Sequence, residues 1–157
     1  MKILIIEIGK TDSDYLRKGI EHYNSLTGRM VKLEVKTLAD VKKRGSLSQN
    51  EQKRIEGEKI IAQVRPGDFM ILLDERGTGY DSIAFASYLE SLMSRSLKRV
   101  VFVIGGPYGF SEEVYAAAAA KVSLSPMTFS HQLVRLLFAE QLFRAFTLIR
   151  GIPYHNE

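Results

Sequence analysis

Hydrophobic and polar positions fall in blocks whose period switches between strand-like and helix-like along the chain. Lys2 to Ile8 is β-branched and apolar and closes on Gly9, which predicts a buried strand. From Asp12 to Leu26, the residues Tyr15, Leu16, Ile20, Tyr23 and Leu26 recur near helical spacing, and Gly28 supplies the stop. Val31 to Val35 alternates apolar and charged residues, as a half-exposed strand does. Lys36 to Ser46 is polar and basic and reads as a loop. Ser48 and Glu51 form a capping box for a helix running to about Val64, and Arg65-Pro66-Gly67-Asp68 ends it with turn chemistry. Phe69 to Leu73 and Arg99 to Ile104 are continuous apolar runs, hence central strands, with a helix over Ser82 to Leu92 between them. Ser111 caps a short helix whose first turn carries Glu112 and Glu113, Lys121 to Leu124 is a short strand, and His131 to Ile149 is a long helix. Strands alternating with helices predict one α/β domain over residues 1–157 with a largely parallel sheet.

Two departures from simple patterning carry further information. The last helix is apolar almost all round, with Glu140, Gln141, Arg144 and Thr147 as a single polar stripe, so it must be buried on several sides, centrally or in a dimer interface. Arg135 lies opposite that stripe beside Phe138 and Leu142 and therefore needs a partner, with a carboxylate inside the fold the favoured one over a subunit contact or a phosphate. Parallel sheets bind ligands outside the carboxyl ends of their strands. That rule selects three loops: Asp74 to Gly77, Gly105 to Gly109, and Ser125 to Ser130. Glycines there allow close backbone approach, and a flat apolar slot suits a purine ring, although Gly105 to Gly109 also serves simply as a tight strand-to-helix turn.

Composition narrows the chemistry. With 157 residues, 45% hydrophobic and 25% charged, the chain is an ordinary globular domain. It has no cysteine, which removes disulfides, thiolate metal sites and a cysteine nucleophile together. His22, His131 and His155 show no metal-ligand spacing, and neither a P-loop nor a GxSxG elbow is present, so no metal is expected. The amino end is broken by Glu7 and lacks a cleavage site, and the longest apolar stretch is interrupted by Arg135, Glu140 and Arg144. No secretory signal and no membrane span are therefore expected, and a cytoplasmic location is. The net charge of +4 is uneven: residues 1–80 hold 15 basic and 12 acidic side chains, and residues 81–157 hold 7 and 6. The excess sits in the half with the run Lys42-Lys43-Arg44, which points to an acidic partner for that half.

Several elements jointly carry a resemblance: Leu73-Asp74, Ile104-Gly105-Gly106-Pro107-Tyr108-Gly109, Leu124-Ser125-Pro126-Met127-Thr128-Phe129, His131-Gln132-Leu133-Val134-Arg135 and the terminal Pro153-Tyr154-His155. Over essentially its whole length the chain resembles the ribosomal RNA large subunit methyltransferase H family, of the SPOUT class. The resemblance implies a parallel-sheet SPOUT fold with a C-terminal trefoil knot, and a homodimer. It implies transfer of a methyl group from S-adenosylmethionine to N3 of a pseudouridine in large-subunit rRNA, on the assembled ribosome. It further implies that Leu73, Gly105 and Leu124, Ser125, Pro126, Met127, Thr128 and Phe129 hold the cofactor, largely by backbone groups, and that Tyr154 and His155 lie near the target base. Asn156 stands where the family commonly has a basic residue, and Ser130 where it often has proline.

The chemistry agrees with this inventory. Displacement at a sulfonium needs positioning more than a metal or a covalent nucleophile. The N3 imide must lose its proton, to His155 or to a less obvious carboxylate. Arg17, Lys18, Lys42, Lys43, Arg44 and Arg150 are the candidates for RNA phosphate contact, with the dense Lys42-Lys43-Arg44 run the strongest. Two other readings are a non-catalytic RNA- or ribosome-associated α/β dimer and a small-molecule α/β enzyme. Cofactor binding separates the first from the enzyme, and the missing P-loop spacing weighs against the second.

Overall fold

The computed structural model describes residues 1–41 and 47–156. Ten elements follow in chain order: β1 (Lys2–Ile8), α1 (Asp14–Gly28), β2 (Lys32–Leu38), α2 (Gln49–Ile61), β3 (Phe69–Gly79), α3 (Ser82–Ser94), β4 (Arg99–Ile104), α4 (Glu112–Ala117), β5 (Ala120–Ser123) and α5 (His131–Ile149). The strands form one sheet in the order β2-β1-β4-β3-β5, and all the pairings are parallel.

Parallel sheets need both faces covered, and the alternation of side chains divides the core accordingly. Ile3, Ile5, Ile71, Val100 and Phe102 pack on one face against α3 and α5. Leu4, Ile6, Met70, Leu72, Val101 and Val103 pack on the other, with Ile60 of α2 and Val114 of α4. The all-round apolar character of α5 is explained by its position between α1 and α3. Thr147, expected on the polar stripe, is buried and returns its hydroxyl to the carbonyl of Arg144. Among the described residues no helix is long and apolar enough to cross a membrane.

Capping sets the helix starts. Ser48 and Glu51 exchange the two bonds of a capping box, and Asp81, Ser111 and Ser130 accept from the first turns of α3, α4 and α5. The clearest difference from the sequence expectation is β3. The polar stretch after Leu73 reads as a loop, yet the strand continues to Gly79 after a register shift and pairs Thr78 and Gly79 with Val122 and Ser123. Gly77 permits this: a Cβ there would lie 2.6 Å from the Lys121 carbonyl carbon and the Val122 nitrogen.

Arg135 finds its partners inside the fold, as the apolar face requires. Its guanidinium donates to the carbonyls of Ile8 and of Gly9 (2.8 Å) and to the Thr11 hydroxyl (3.1 Å), and stands 3.7 Å from the Glu7 carboxylate. Gln132 holds the same β1–α1 loop, donating to Lys10 O and accepting from Asp12 N, both at 3.1 Å. The start of α5 is thereby fixed to the carboxyl end of β1.

Candidate functional site

A cleft of about 1260 Å³ opens at the carboxyl ends of β3, β4 and β5. Leu73, Gly105, Leu124, Ser125, Met127, Thr128 and Phe129 all line it; Pro126 is exposed in the same loop but does not. A smaller recess of about 360 Å³, between Phe85, Leu137 and Gln141, opens on the other side of Leu124, Ser125 and Phe129. Leu124, Ser125 and Phe129 thus line both spaces, and the stretch from Leu124 to Phe129 forms a wall of the cleft.

Local bonds shape that wall. Ser123 donates its hydroxyl to Ser125 O (3.0 Å), and the Ser125 hydroxyl accepts from Met127 N (2.9 Å). Thr128 donates to the Glu75 carboxylate at 3.4 Å, which ties the wall to the end of β3. The glycine turn is shaped from below. A Cβ on Gly106 would lie 2.7 Å from an oxygen of Glu56, a buried α2 carboxylate that accepts from Gln52 (3.1 Å) and whose pKa burial pushes up.

Behind Leu73, Asp74 anchors a small polar network. Its carboxylate accepts from the Tyr115 hydroxyl, the backbone N–H of Arg76 (2.8 Å) and the Arg76 side chain (3.4 Å), while Arg76 also donates to Tyr115. Arg76 and Lys121 stand over the Tyr115 ring at 5.1 Å and 5.6 Å. Burial alone would raise the Asp74 pKa, but the Tyr115 and Arg76 donors outweigh it and hold the group below the usual 3.8. A depressed folded-state value means the contribution is complete above the unfolded pKa and is lost as pH falls through the folded one. Tyr115→Phe removes the donor and is expected to cost about 1–3 kcal/mol at neutral pH. Urea unfolding at pH 7 and below pH 3.8 checks it, the difference between wild type and variant shrinking in acid.

The tail residues lie elsewhere. Tyr154 packs edge-on against Phe143, shares a hydrogen bond with Tyr23 (3.4 Å), donates to Glu140 (3.2 Å) and lies under the Arg144 guanidinium. The Tyr23 contact, burial and Glu140 all push its pKa up. Arg144 donates to Glu140 and, at 3.2 Å, meets Nδ1 of His155. This cluster packs on α5 from its middle, at Glu140, to Arg144, whereas the cleft takes only His131 and Val134 from the start of that helix, so the two are about 9–15 Å apart along its axis. Arg150 is exposed and donates to Met30 O; Lys42, Lys43 and Arg44 lie outside the described residues.

The residues missed in the sequence are Tyr115 and His131 as cleft-lining groups. Tyr115 directly precedes the alanine run, and His131 stands two residues after Phe129, but their spacing alone does not show that they face a ligand space. Among the described residues no group of three or more acidic or histidine side chains is arranged to hold a metal.

Comparison with known proteins completes the description. A family model described as "Predicted SPOUT methyltransferase" matches residues 1–155. The Ribosomal RNA large subunit methyltransferase H of Parabacteroides distasonis is 48% identical over 157 residues, which is all of both chains. The protein of the same name from Christiangramia forsetii is 49% identical over 156 residues, 99% of each chain. Among solved structures, a probable methylase family protein from Haemophilus influenzae Rd KW20 superposes with a TM-score of 0.53 at 13% identity, over 99% of this chain and 70% of that one, a likeness of fold.

Proposed function

The chain belongs to the SPOUT methyltransferase family, among the ribosomal RNA large subunit methyltransferase H proteins, and from that premise we propose that it methylates large-subunit rRNA. The finer reading is transfer of a methyl group from S-adenosylmethionine to N3 of a pseudouridine, on the assembled ribosome, in the cytoplasm. The observation that carries it is the convergence of Leu73, Gly105 and five residues of the Leu124–Phe129 wall on one cleft.

The cleft suits the cofactor. Leu73, Leu124 and Val134 offer apolar faces for an adenine ring, and the wall offers backbone groups to its edge. At Gly105 a Cβ would lie 3.0 Å from the Phe110 ring, so the backbone there stays bare toward the cleft. The carboxylates of Asp74 and Glu75 complement a positively charged donor. When bound, S-adenosylmethionine supplies an already activated methyl group. The chain's task is then to orient the acceptor, exclude water and move one proton.

The protein works as a homodimer in this reading, and the crossing of Gly77 over Val122 belongs to a C-terminal trefoil knot. Tyr154 and His155 do not line the cleft of their own chain, and in a homodimer the tail of a second copy supplies them there. Arg150 and the Lys42-Lys43-Arg44 run serve as RNA phosphate contacts. A fully active monomer in sedimentation and turnover assays would contradict the dimer.

The test is transfer of labelled methyl from S-adenosylmethionine to ribosomes from a strain lacking the modification, with the product nucleoside identified by mass spectrometry. The expected product is N3-methylpseudouridine in large-subunit rRNA. Labelling of free rRNA but not of ribosomes would overturn the assembled substrate. Absence of both cofactor binding and methyl transfer would favour the non-catalytic dimer instead.

A further inference from the structure

The cleft contains an imidazole that the reading above leaves without a role. His131 is the first residue of α5 and lines the cleft directly after the Leu124–Phe129 wall. Burial pushes its pKa below the ordinary 6.5, the positive Arg135 one turn along α5 acts the same way, and Asp12 in the β1–α1 loop opposes them. The ring also stands at a helix N-terminus, whose partial positive charge disfavours an imidazolium. The other charged groups around the cleft are Lys53 and Arg54 on α2, Asp74, Glu75 and Arg76 on β3, and Glu112 and Glu113 on α4. Burial, Arg135 and the helix terminus all favour the neutral ring, which has a lone pair to offer.

His155 differs in what its ring has left. Its Nδ1 meets the Arg144 guanidinium at 3.2 Å. A guanidinium has donors only, so Nδ1 accepts and the ring hydrogen resides on Nε2. This tautomer presents an N–H. It can hold a carbonyl oxygen of a base, while its Nδ1 lone pair is already engaged by Arg144.

We propose that His131 accepts the N3 proton of the target base, and that His155 acts there as a hydrogen-bond donor. The assignment rests on the reading of the cleft as the methyl-transfer site. The N3–H bond breaks and its proton passes to the free ring nitrogen of His131. The N3 electron pair forms the bond to the methyl carbon as the sulfur–methyl bond breaks, its electrons remaining on sulfur as a neutral thioether. The imidazolium then releases its proton to water. A base whose pKa lies below the working pH is mostly in its accepting form, which is the condition general-base catalysis needs.

The experiment compares wild type, His131→Gln and His155→Gln in single-turnover methyl transfer from labelled S-adenosylmethionine to ribosomes, over roughly pH 5 to pH 9. Cofactor binding is measured by calorimetry, and the His131 ring is titrated by NMR in the free protein. H131Q should lose the acid limb of the profile and about 100-fold or more in rate, with cofactor affinity within about threefold of wild type. H155Q should keep the acid limb at a lower rate. The wild-type limb in kcat/KM should coincide with the His131 ring titration, a match that a merely structural histidine would not produce. Survival of the limb in H131Q, a mismatch with the NMR titration, or loss of cofactor binding in H131Q would each overturn the assignment. A wild-type protein that transfers no methyl group would instead overturn the functional reading, and the assignment with it.

Discussion

Arg135→Ala is expected to lower the stability of the protein by about 3–5 kcal/mol, the penalty typical of breaking a buried ion pair from one side. The Arg135 side chain is fully buried, and the Glu7 side chain retains 9% of its accessible surface. Removing the guanidinium strips the Ile8 and Gly9 carbonyls and the Thr11 hydroxyl of a donor and leaves Glu7 in the core without its counter-charge. Thermal unfolding should show a fall in Tm of about 10 °C. The double variant R135M/E7Q should recover part of the loss, because it removes the stranded charge as well as its partner. An R135A protein as stable as wild type would mean that the contacts at the carboxyl end of β1 contribute little. The substitution should also loosen the start of α5, since Arg135 and Gln132 together hold the β1–α1 loop against it.

Gly77→Ala is expected to be the most damaging single-methyl change in the cleft region. Its Cβ would sit 2.6–2.7 Å from backbone atoms of Lys121 and Val122, which cannot rotate away as a side chain can. The β3–β5 pairing must shift, at a cost of about 3 kcal/mol, the upper part of the usual overpacking range. The shift would propagate directly to the Leu124–Phe129 wall, one residue beyond β5. Affinity for S-adenosylmethionine should therefore fall along with stability. Gly79→Ala is the control: no atom lies within 4 Å of the Cβ it would add, and both properties should stay near wild type. Equal behaviour of the two variants in calorimetry and urea unfolding would contradict this account of the crossing.

The difference between Gly77 and Gly79 also marks the limit of what the sequence discloses. Continuous apolar runs such as Arg99 to Ile104 read correctly as central strands because every position is buried, and α5 reads correctly because its long apolar pattern is a local feature. Asp74 to Gly77 reads as a loop because its composition is polar, and only the close approach of β5 carries the strand on to Gly79. The three cleft loops are legible because the carboxyl ends of parallel strands are where ligands bind. Arg135 announces a buried partner through its place on an apolar face, although not which carbonyls it meets. Tyr154 is different: its contact with Tyr23 joins positions 131 residues apart, and nothing local foretells it. The basic run Lys42-Lys43-Arg44 lies outside the described residues, so its part in RNA binding rests on charge and position in the sequence.

The central claim is that the cleft at the carboxyl ends of β3, β4 and β5 is where the methyl donor binds. Titration of isotope-labelled protein with S-adenosylmethionine, followed through backbone amide shifts, tests it most directly. The account predicts saturable shifts centred on Leu73, Gly105 and Leu124 to Phe129, with the amides at the far end of α5 little moved. Saturable binding that leaves those amides in place and moves others would contradict it, as would the absence of binding at millimolar cofactor.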